Sequence, residues 1–233
     1  MLKKISVIGG GLGGLAFAQG ARILGGYQVT VFDKDQGPTL RNQGYQIGLN
    51  RDGIECLSKL ELPGFRELIA ENPLSAFMML DRSLTPLVRF QVQDLASMKE
   101  SQMSLVNRFS LRDILVKGLD IQWNKKFVSY EEKDGAVIAN FEDGTSSEAA
   151  LLIGADGTNS KVRAQYRPDL VFEKNGITSV GGFFAITPAV LDELPETIPL
   201  IKSDLCRALL PGTFTMLLLR FRGNSGEENL LGS

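Results

Sequence analysis

Histidine is absent from the chain. A Ser-His-Asp triad, a histidine-ligated metal and a histidine general base are therefore excluded as products of this chain alone. Any demanding chemistry must come from elsewhere, most simply from a bound cofactor. Cysteine is nearly as scarce: Cys56 and Cys206 lie in an apolar helical pattern and an apolar strand pattern. Both are expected as buried free thiols rather than a disulfide or metal pair, which fits a reducing cytoplasm. Neither sign of charge is in surplus, since 25 Lys and Arg face 27 Asp and Glu for a formal −2. The basic residues are scattered, so the chain lacks the footprint of a nucleic-acid or anionic-membrane partner. No apolar run approaches the roughly 18 residues of a membrane helix. What remains is an ordinary globular composition, 43% hydrophobic and 22% charged over 233 residues, enough for one large domain or two small ones.

Glycine, by contrast, is concentrated near the start: five of the six residues from Gly9 to Gly14 are glycine, within "VIGGGLGGLAFAQGARILGG". The basic pair Lys3 and Lys4, the apolar stretch and the small residues at Ala18-Gln19-Gly20-Ala21 have the outline of a secretory signal. A signal needs an uninterrupted apolar core of about 7 to 15 residues, and the glycines break it. Gly9, Gly11 and Gly14 instead satisfy GxGxxG, between the apolar strand Ile5 to Ile8 and a helical run. In that reading Gly9 makes the tight turn and Gly11 lets the backbone approach a pyrophosphate. Gly14 brings helix and sheet close, and the phosphate rests on the helix N-terminus at Leu12 and Gly13. The next strand, "YQVTVFDKD", ends in Asp33, which lies 19 residues beyond Gly14, the spacing of an acid that accepts hydrogen bonds from an adenosine ribose.

Further along, "KDQGPTLRNQGYQIGLN" reads as a loop, and "RDGIECLSKLELPGFRELIAEN" as helix interrupted at Pro63-Gly64. "AFMMLD" and "PLVRFQV" read as paired strands. In "SLVNRFSLRDILVKGL", Ser110 is the expected N-cap of a helix presenting Leu111, Leu115 and Leu119 on one face. Turns at Asp134-Gly135 and Asp143-Gly144 divide residues 126 to 153 into a three-stranded antiparallel meander whose last strand is "SSEAALLIG". "ITSVGGFFAITP" and the hairpin "CRALLPGTFTMLLLRF" suggest another sheet, with an open apolar edge around Thr213 to Phe221, and the tail reads as polar.

The turn "LLIGADGTNSKVR" joins these parts: an apolar strand ends at Ile153, the chain turns through Gly154 to Gly157 and a short helix starts at Ser160 to Arg163. Downstream of a nucleotide turn, Gly154-Ala155-Asp156-Gly157 with Asn159, Ser160, Val162 and Arg163 resembles the second fingerprint of the FAD-dependent aromatic monooxygenases, the para-hydroxybenzoate hydroxylase group. Other matches follow in order: Gly9, Gly11 and Gly14; Asp33, where the family more often has glutamate, followed by Lys34; Arg41; and Gly44-Tyr45-Gln46-Ile47. Arg108 with Leu111 and Leu115 matches the family's arginine followed by leucines three and seven residues on. "GYQIGLNRDGIECL" and "FFAITPAVLDELP" are similar to the fungal and bacterial branch acting on phenolic or polycyclic metabolites. The family's third fingerprint, a Gly-Asp pair before a proline- and glycine-rich turn, has no counterpart in the sequence.

The resemblance implies a Rossmann-like FAD/NAD(P)-binding α/β domain with an antiparallel meander, at residues 1–75 and 104–167, plus an incomplete mixed β-sheet substrate domain at 76–103 and 168–233. It implies FAD as cofactor and NADPH or NADH as co-substrate. Oxygen would pass through a flavin C4a-hydroperoxide to an aromatic, phenolic or polycyclic small molecule. Gly9, Gly11, Leu12, Gly13, Gly14, Asp33, Lys34, Arg41, Gln46, Arg108, Asp156 and Gly157 would contact the cofactor, and no catalytic acid or base is named. A C-terminal partner chain or self-association is expected at the open edge, and a cytoplasmic location overall. The alternatives are a reductase of the geranylgeranyl-reductase type and a non-catalytic, truncated FAD- or NAD-binding module, inactive as an isolated chain.

Overall fold

The Lys3–Ile8 strand is buried from Ile5 to Ile8 without alternation, the pattern of a parallel strand covered on both faces. The computed structural model that shows this describes residues 3–37, 46–74, 76–83, 85–91, 103–173, 187–193, 205–209 and 215–219. The chain divides into two compact units. One comprises Met1–Gly44, Cys56–Arg66 and Arg108–Asn175; the other comprises Tyr45–Glu55, Glu67–Asn107 and Gly176–Ser233. Together they make a mixed α/β protein.

In the first unit β1 (Lys3–Ile8), β2 (Tyr27–Phe32), β7 (Asp120–Gln122) and β11 (Leu151–Gly154) form a parallel sheet in the order β11-β1-β2-β7. Helix α1 (Leu12–Leu24) buries Gly14, Leu15, Ala18, Gln19 and Ala21, small or apolar residues at helical spacing that let it approach the sheet closely. Gln19 is the polar exception, fully buried. Its amide nitrogen donates to the carbonyls of Leu115 and Lys117, and its Oε1 accepts from Arg22 Nε and Nη2. Those carbonyls close the C-terminal end of α4 (Arg108–Val116), where the intrahelical donors run out. The expected cap at Ser110 is corrected: α4 begins at Arg108, immediately after β6 (Ser104–Asn107), so Ser110 lies within its first turn. Leu111, Ile114 and Leu115 are all buried, and the face they form carries the helix back through the residues before Ser110.

The meander consists of β8 (Phe127–Lys133), β9 (Ala136–Phe141) and β10 (Ser146–Ala149), antiparallel in the order β10-β9-β8. Asp134 and Gly135 both take positive φ, 53° and 77°, as a two-residue hairpin turn of type I′ requires. The expected third strand is two strands. It breaks after Ala149, the Ala150 amide donates to the Lys4 carbonyl, and β11 leaves the meander to pair in parallel with β1. That switch brings the turn after β11 beside the turn after β1. Sheet and meander share a core of Ile8, Phe32, Phe127, Ala139 and Phe141, with the Phe32 and Phe141 rings 4.7 Å apart at 32°.

The second unit holds β3 (Gln46–Leu49) against β6, antiparallel, where the loop reading after Asp33 anticipated no strand. A four-residue ladder with one glycine is too short to announce itself by periodicity. Its larger sheet is mixed, β13 (Thr215–Leu219), β12 (Leu205–Leu209), β4 (Ala76–Leu80) and β5 (Pro86–Gln91), with β12 parallel to β4 and the other pairs antiparallel. Met78, Leu80, Cys206 and Ala208 form its core. The remaining helices are α2 (Arg51–Ser58), α3 (Phe65–Glu71), α5 (Lys161–Tyr166) and α6 (Pro188–Glu193), with α2 and α3 separated at the expected Pro63-Gly64. Cys206 is buried, but Cys56 is exposed. Two residues from buried Ile54, it falls on the opposite face of α2. Arg41 and the "ITSVGGFFAI" strand lie outside the described residues. No helix among the described residues is long and apolar enough to cross a membrane.

Truncating Phe141 removes a ring shared by sheet and meander. Phe141→Ala is expected to destabilise the chain by about 3 to 5 kcal/mol in urea denaturation, against less than about 1 kcal/mol for a substitution at exposed Val128.

Candidate functional site

Four parallel strands end on one side of the first unit, and their exits are stitched together. The Gly9 amide donates to the Phe32 carbonyl at 2.8 Å, Ala155 N to Ile8 O at 2.8 Å and Asp33 N to Gln122 O at 2.9 Å. At the carboxyl ends of such strands ligands bind in open α/β sheets. A cleft of about 290 Å³ opens there, walled by Gly9, Gly10, Gly11, Asp33, Arg108 and Asp156 among others.

The glycines of the turn have different reasons to be glycine. Gly9 sits at φ 110°, and a Cβ there would strike the Ala155 carbonyl. A Cβ at Gly14 would strike the Gly9 carbonyl and lie 3.1 Å from Ala155 Cβ, so helix, first turn and second turn meet at that point. Gly11 is another matter. It takes an ordinary φ of −74° as the N-cap of α1, and a Cβ on it meets nothing within 4 Å. Neither strain nor packing demands glycine at this wall of the cleft, which leaves the space in front of it open. Gly13, in the first turn of α1 beside Leu12, is equally open. Those first-turn amides lack intrahelical acceptors and favour an anion.

Asp33 is buried, 8% exposed, at the head of β2. Its Oδ2 accepts from Gly10 N at 2.5 Å and its Oδ1 from Asp35 N at 2.8 Å. The carboxylate thus braces the glycine turn, and its remaining lone pairs are what it can offer a ribose. Lys34 is exposed at the rim of the same cleft. Arg108 and Arg112, one turn apart on α4, both line the cleft. Arg112 was not singled out by the sequence reading. It is buried, donates from Nε to the Gly10 carbonyl at 3.2 Å and holds its guanidinium 5.3 Å from the Trp123 ring centroid. Its one signal in the sequence was its place one turn after Arg108, on the face of buried Leu111 and Leu115.

Asp156 lines the cleft, but its carboxylate is committed to α5. Oδ1 accepts from the Ser160 hydroxyl at 2.5 Å, and Oδ2 from the amides of Lys161 and Val162 at 2.7 and 3.3 Å. Gly157, at φ 83°, completes that turn. Arg163 turns to the Thr158 carbonyl at 2.6 Å and stacks 4.3 Å from the Phe172 ring centroid. Gln46 belongs to the second unit, and its Oε1 is buried without a hydrogen-bond partner among the described residues.

Six cationic side chains, Lys34, Arg108, Arg112, Lys125, Lys126 and Lys161, face three carboxylates, Asp33, Asp35 and Asp156, around the cleft. Two of the lysines are already engaged, Lys125 with Asp143 at 2.6 Å and Lys126 with Glu142 at 2.9 Å. The Lys125 ammonium, then the Thr145 hydroxyl and amide, hold the Asp143 carboxyl down to about 2, and Lys126 likewise lowers Glu142. The remaining surplus is positive, which suits a phosphorylated ligand.

Residues 3–199 match the protein family described as the FAD binding domain. The chain is 32% identical over 167 residues to the FAD-dependent monooxygenase thnD of Trichoderma harzianum, covering 69% of this chain and 40% of that protein. It is 30% identical over 204 residues to the monooxygenase cfoF of Aspergillus candidus, covering 77% and 49%. It therefore spans about half the length, or less, of these curated relatives. Klebsiella pneumoniae HpxO, solved in complex with FAD and uric acid, aligns with 93% of the chain at a TM-score of 0.68 and 23% identity, with 53% of its own chain covered, a likeness of fold.

Asp33→Ala leaves the Gly10 and Asp35 amides without their acceptor and should destabilise the first unit by about 2 to 4 kcal/mol, whereas Asp33→Asn, keeping one oxygen, should lose roughly half of that. Urea denaturation of the unliganded chain reads both. Because its folded pKa is depressed, Asp143 contributes stability above the ordinary carboxylate range and loses it as pH falls through about 2. A carbon NMR titration is expected to place its midpoint there, and a midpoint near 4 would mean the Lys125 contact does not persist in solution.

Proposed function

The chain belongs to the FAD-binding domain family of the FAD-dependent aromatic monooxygenases, and from that premise we propose that it holds FAD for an NAD(P)H- and O2-dependent hydroxylation of an aromatic, phenolic or polycyclic small molecule. The observation that carries the cofactor is the open position at Gly11, a glycine with ordinary backbone and no neighbour, heading α1 at the wall of a cation-rich cleft. The residues present fit the adenosine diphosphate half of FAD.

In this reading the amides of Gly11, Leu12 and Gly13 receive the pyrophosphate, with Gly9 and Gly14 shaping the turn that presents them. Asp33 accepts from the adenosine ribose hydroxyls while still bracing Gly10. Lys34, Arg41 and Arg108 add positive charge toward the phosphates, and Asp156 and Gly157 serve the flavin side by the family pattern. FAD supplies the two-electron chemistry and the reaction with dioxygen when bound. The protein's part is to bind, orient and exclude water. Residues 76–103 and 168–233 would form the substrate side, in a cytoplasmic enzyme.

Gly11→Val places a branched side chain where the pyrophosphate approaches. FAD affinity should fall beyond detection in a fluorescence titration while the unliganded chain melts within a few degrees of the parent; unchanged affinity would falsify the phosphate-turn reading. The reaction class is checked separately. NAD(P)H oxidation that accelerates with a phenol and yields hydroxylated product in proportion supports it. Phenol-independent oxidation, or saturation of a double bond in its place, rejects it.

A further inference from the structure

Gly10 is gripped from both ends by buried charge. Its amide donates to Asp33 Oδ2, and its carbonyl accepts from Arg112 Nε at 3.2 Å. Asp33 is 8% exposed and Arg112 6%. In a trans peptide the carbonyl of one residue and the amide of the next point in opposite directions. Holding the Gly10 carbonyl onto Arg112 therefore sets the direction of the Gly11 N–H. Gly11 is the residue whose missing side chain leaves the cleft wall open.

Arg112 is itself held in place. It lies on α4 beside buried Leu111, and its guanidinium sits 5.3 Å from the ring centroid of Trp123, the sole tryptophan. A planar guanidinium can donate sideways from Nε while its face lies on an indole, and a lysine ammonium offers neither geometry. We infer that Arg112 is a positioning residue of the site, orienting the peptide unit between Gly10 and Gly11 so that the Gly11 amide meets the diphosphate of a dinucleotide. This rests on the reading of the glycine turn as a phosphate site. It separates Arg112, which acts through the backbone, from Arg108, whose expected action is on the cofactor directly.

The test uses the full chain, with ADP as the probe because it carries the diphosphate without the flavin. Arg112→Lys keeps the charge and loses the Nε donor and the stacking plane, and should weaken ADP about tenfold in calorimetric titration. The Gly11 amide resonance should already be displaced in the unliganded variant. Arg112→Lys that lowers the melting temperature but binds ADP like the parent, with the Gly11 resonance in place, overturns the proposal and leaves Arg112 a structural residue. Should Arg112→Lys fail to fold, Trp123→Phe decides. It retains the arginine and shrinks its platform, and is expected to weaken ADP by about threefold; parental affinity overturns the proposal. Failure of the parent chain to bind ADP or FAD removes the phosphate-site reading and the role of Arg112 with it. Loss of binding in Gly11→Val alone, with Arg112→Lys unaffected, removes only the second.

Discussion

The contact of Gly14 with the Gly9 carbonyl and Ala155 is the constraint on which the site depends. At that point the turn after β1, the first turn of α1 and the turn after β11 occupy the space that a single Cβ would fill. Were α1 held even an ångström or so farther out, its N-terminal amides would recede from the cleft, and the Gly154–Gly157 turn would lose the surface it rests on. The small residues Ala18 and Ala21 continue the approach along the helix, and Gln19 secures its far side by satisfying carbonyls at the end of α4. One close approach thus sets the pose of three elements that wall the cleft.

Charge is then added to this frame by side chains that brace its turns. Asp33 accepts from Gly10 and Asp35 at the cleft wall, so its carboxylate is held in one orientation. Asp156 does the same for α5, fixing the second turn through the Ser160 hydroxyl and two amides. A group held in this way gives up less rotamer freedom on binding than a free surface carboxylate, which is how preorganisation gains affinity. It also means that removing Asp33 alters the turn itself, so binding and stability must be measured apart.

The cleft is lined by charge rather than by histidine. The titratable groups around it are carboxylates, lysines and arginines, suited to holding phosphate and sugar rather than to proton shuttling near neutral pH.

Local pattern was enough to read the strand–turn–helix–strand unit from Ile5 to Asp33, the Asp-Gly hairpins and the break at Pro63-Gly64, because each depends on neighbours in the chain: glycine where the backbone turns, apolar periodicity where a face is buried. The tight turn at Gly9 and the close approach at Gly14 were also legible from their order alone. Of what was not, three features depend on distant partners. That "SSEAALLIG" divides between two sheets depends on the Lys4 carbonyl capturing the Ala150 amide, a partner 146 residues away in the chain. That β3 is a strand depends on β6, since four residues carry no period of their own. And that Arg112 belongs to the glycine turn depends on α4 packing against α1, which brings residues separated by 102 positions within hydrogen-bond distance. Sequence determined which segments turn, stretch or coil, since those choices are settled by local sterics and periodicity; tertiary structure decided which backbone groups meet, since long-range pairing follows from packing that no local window contains.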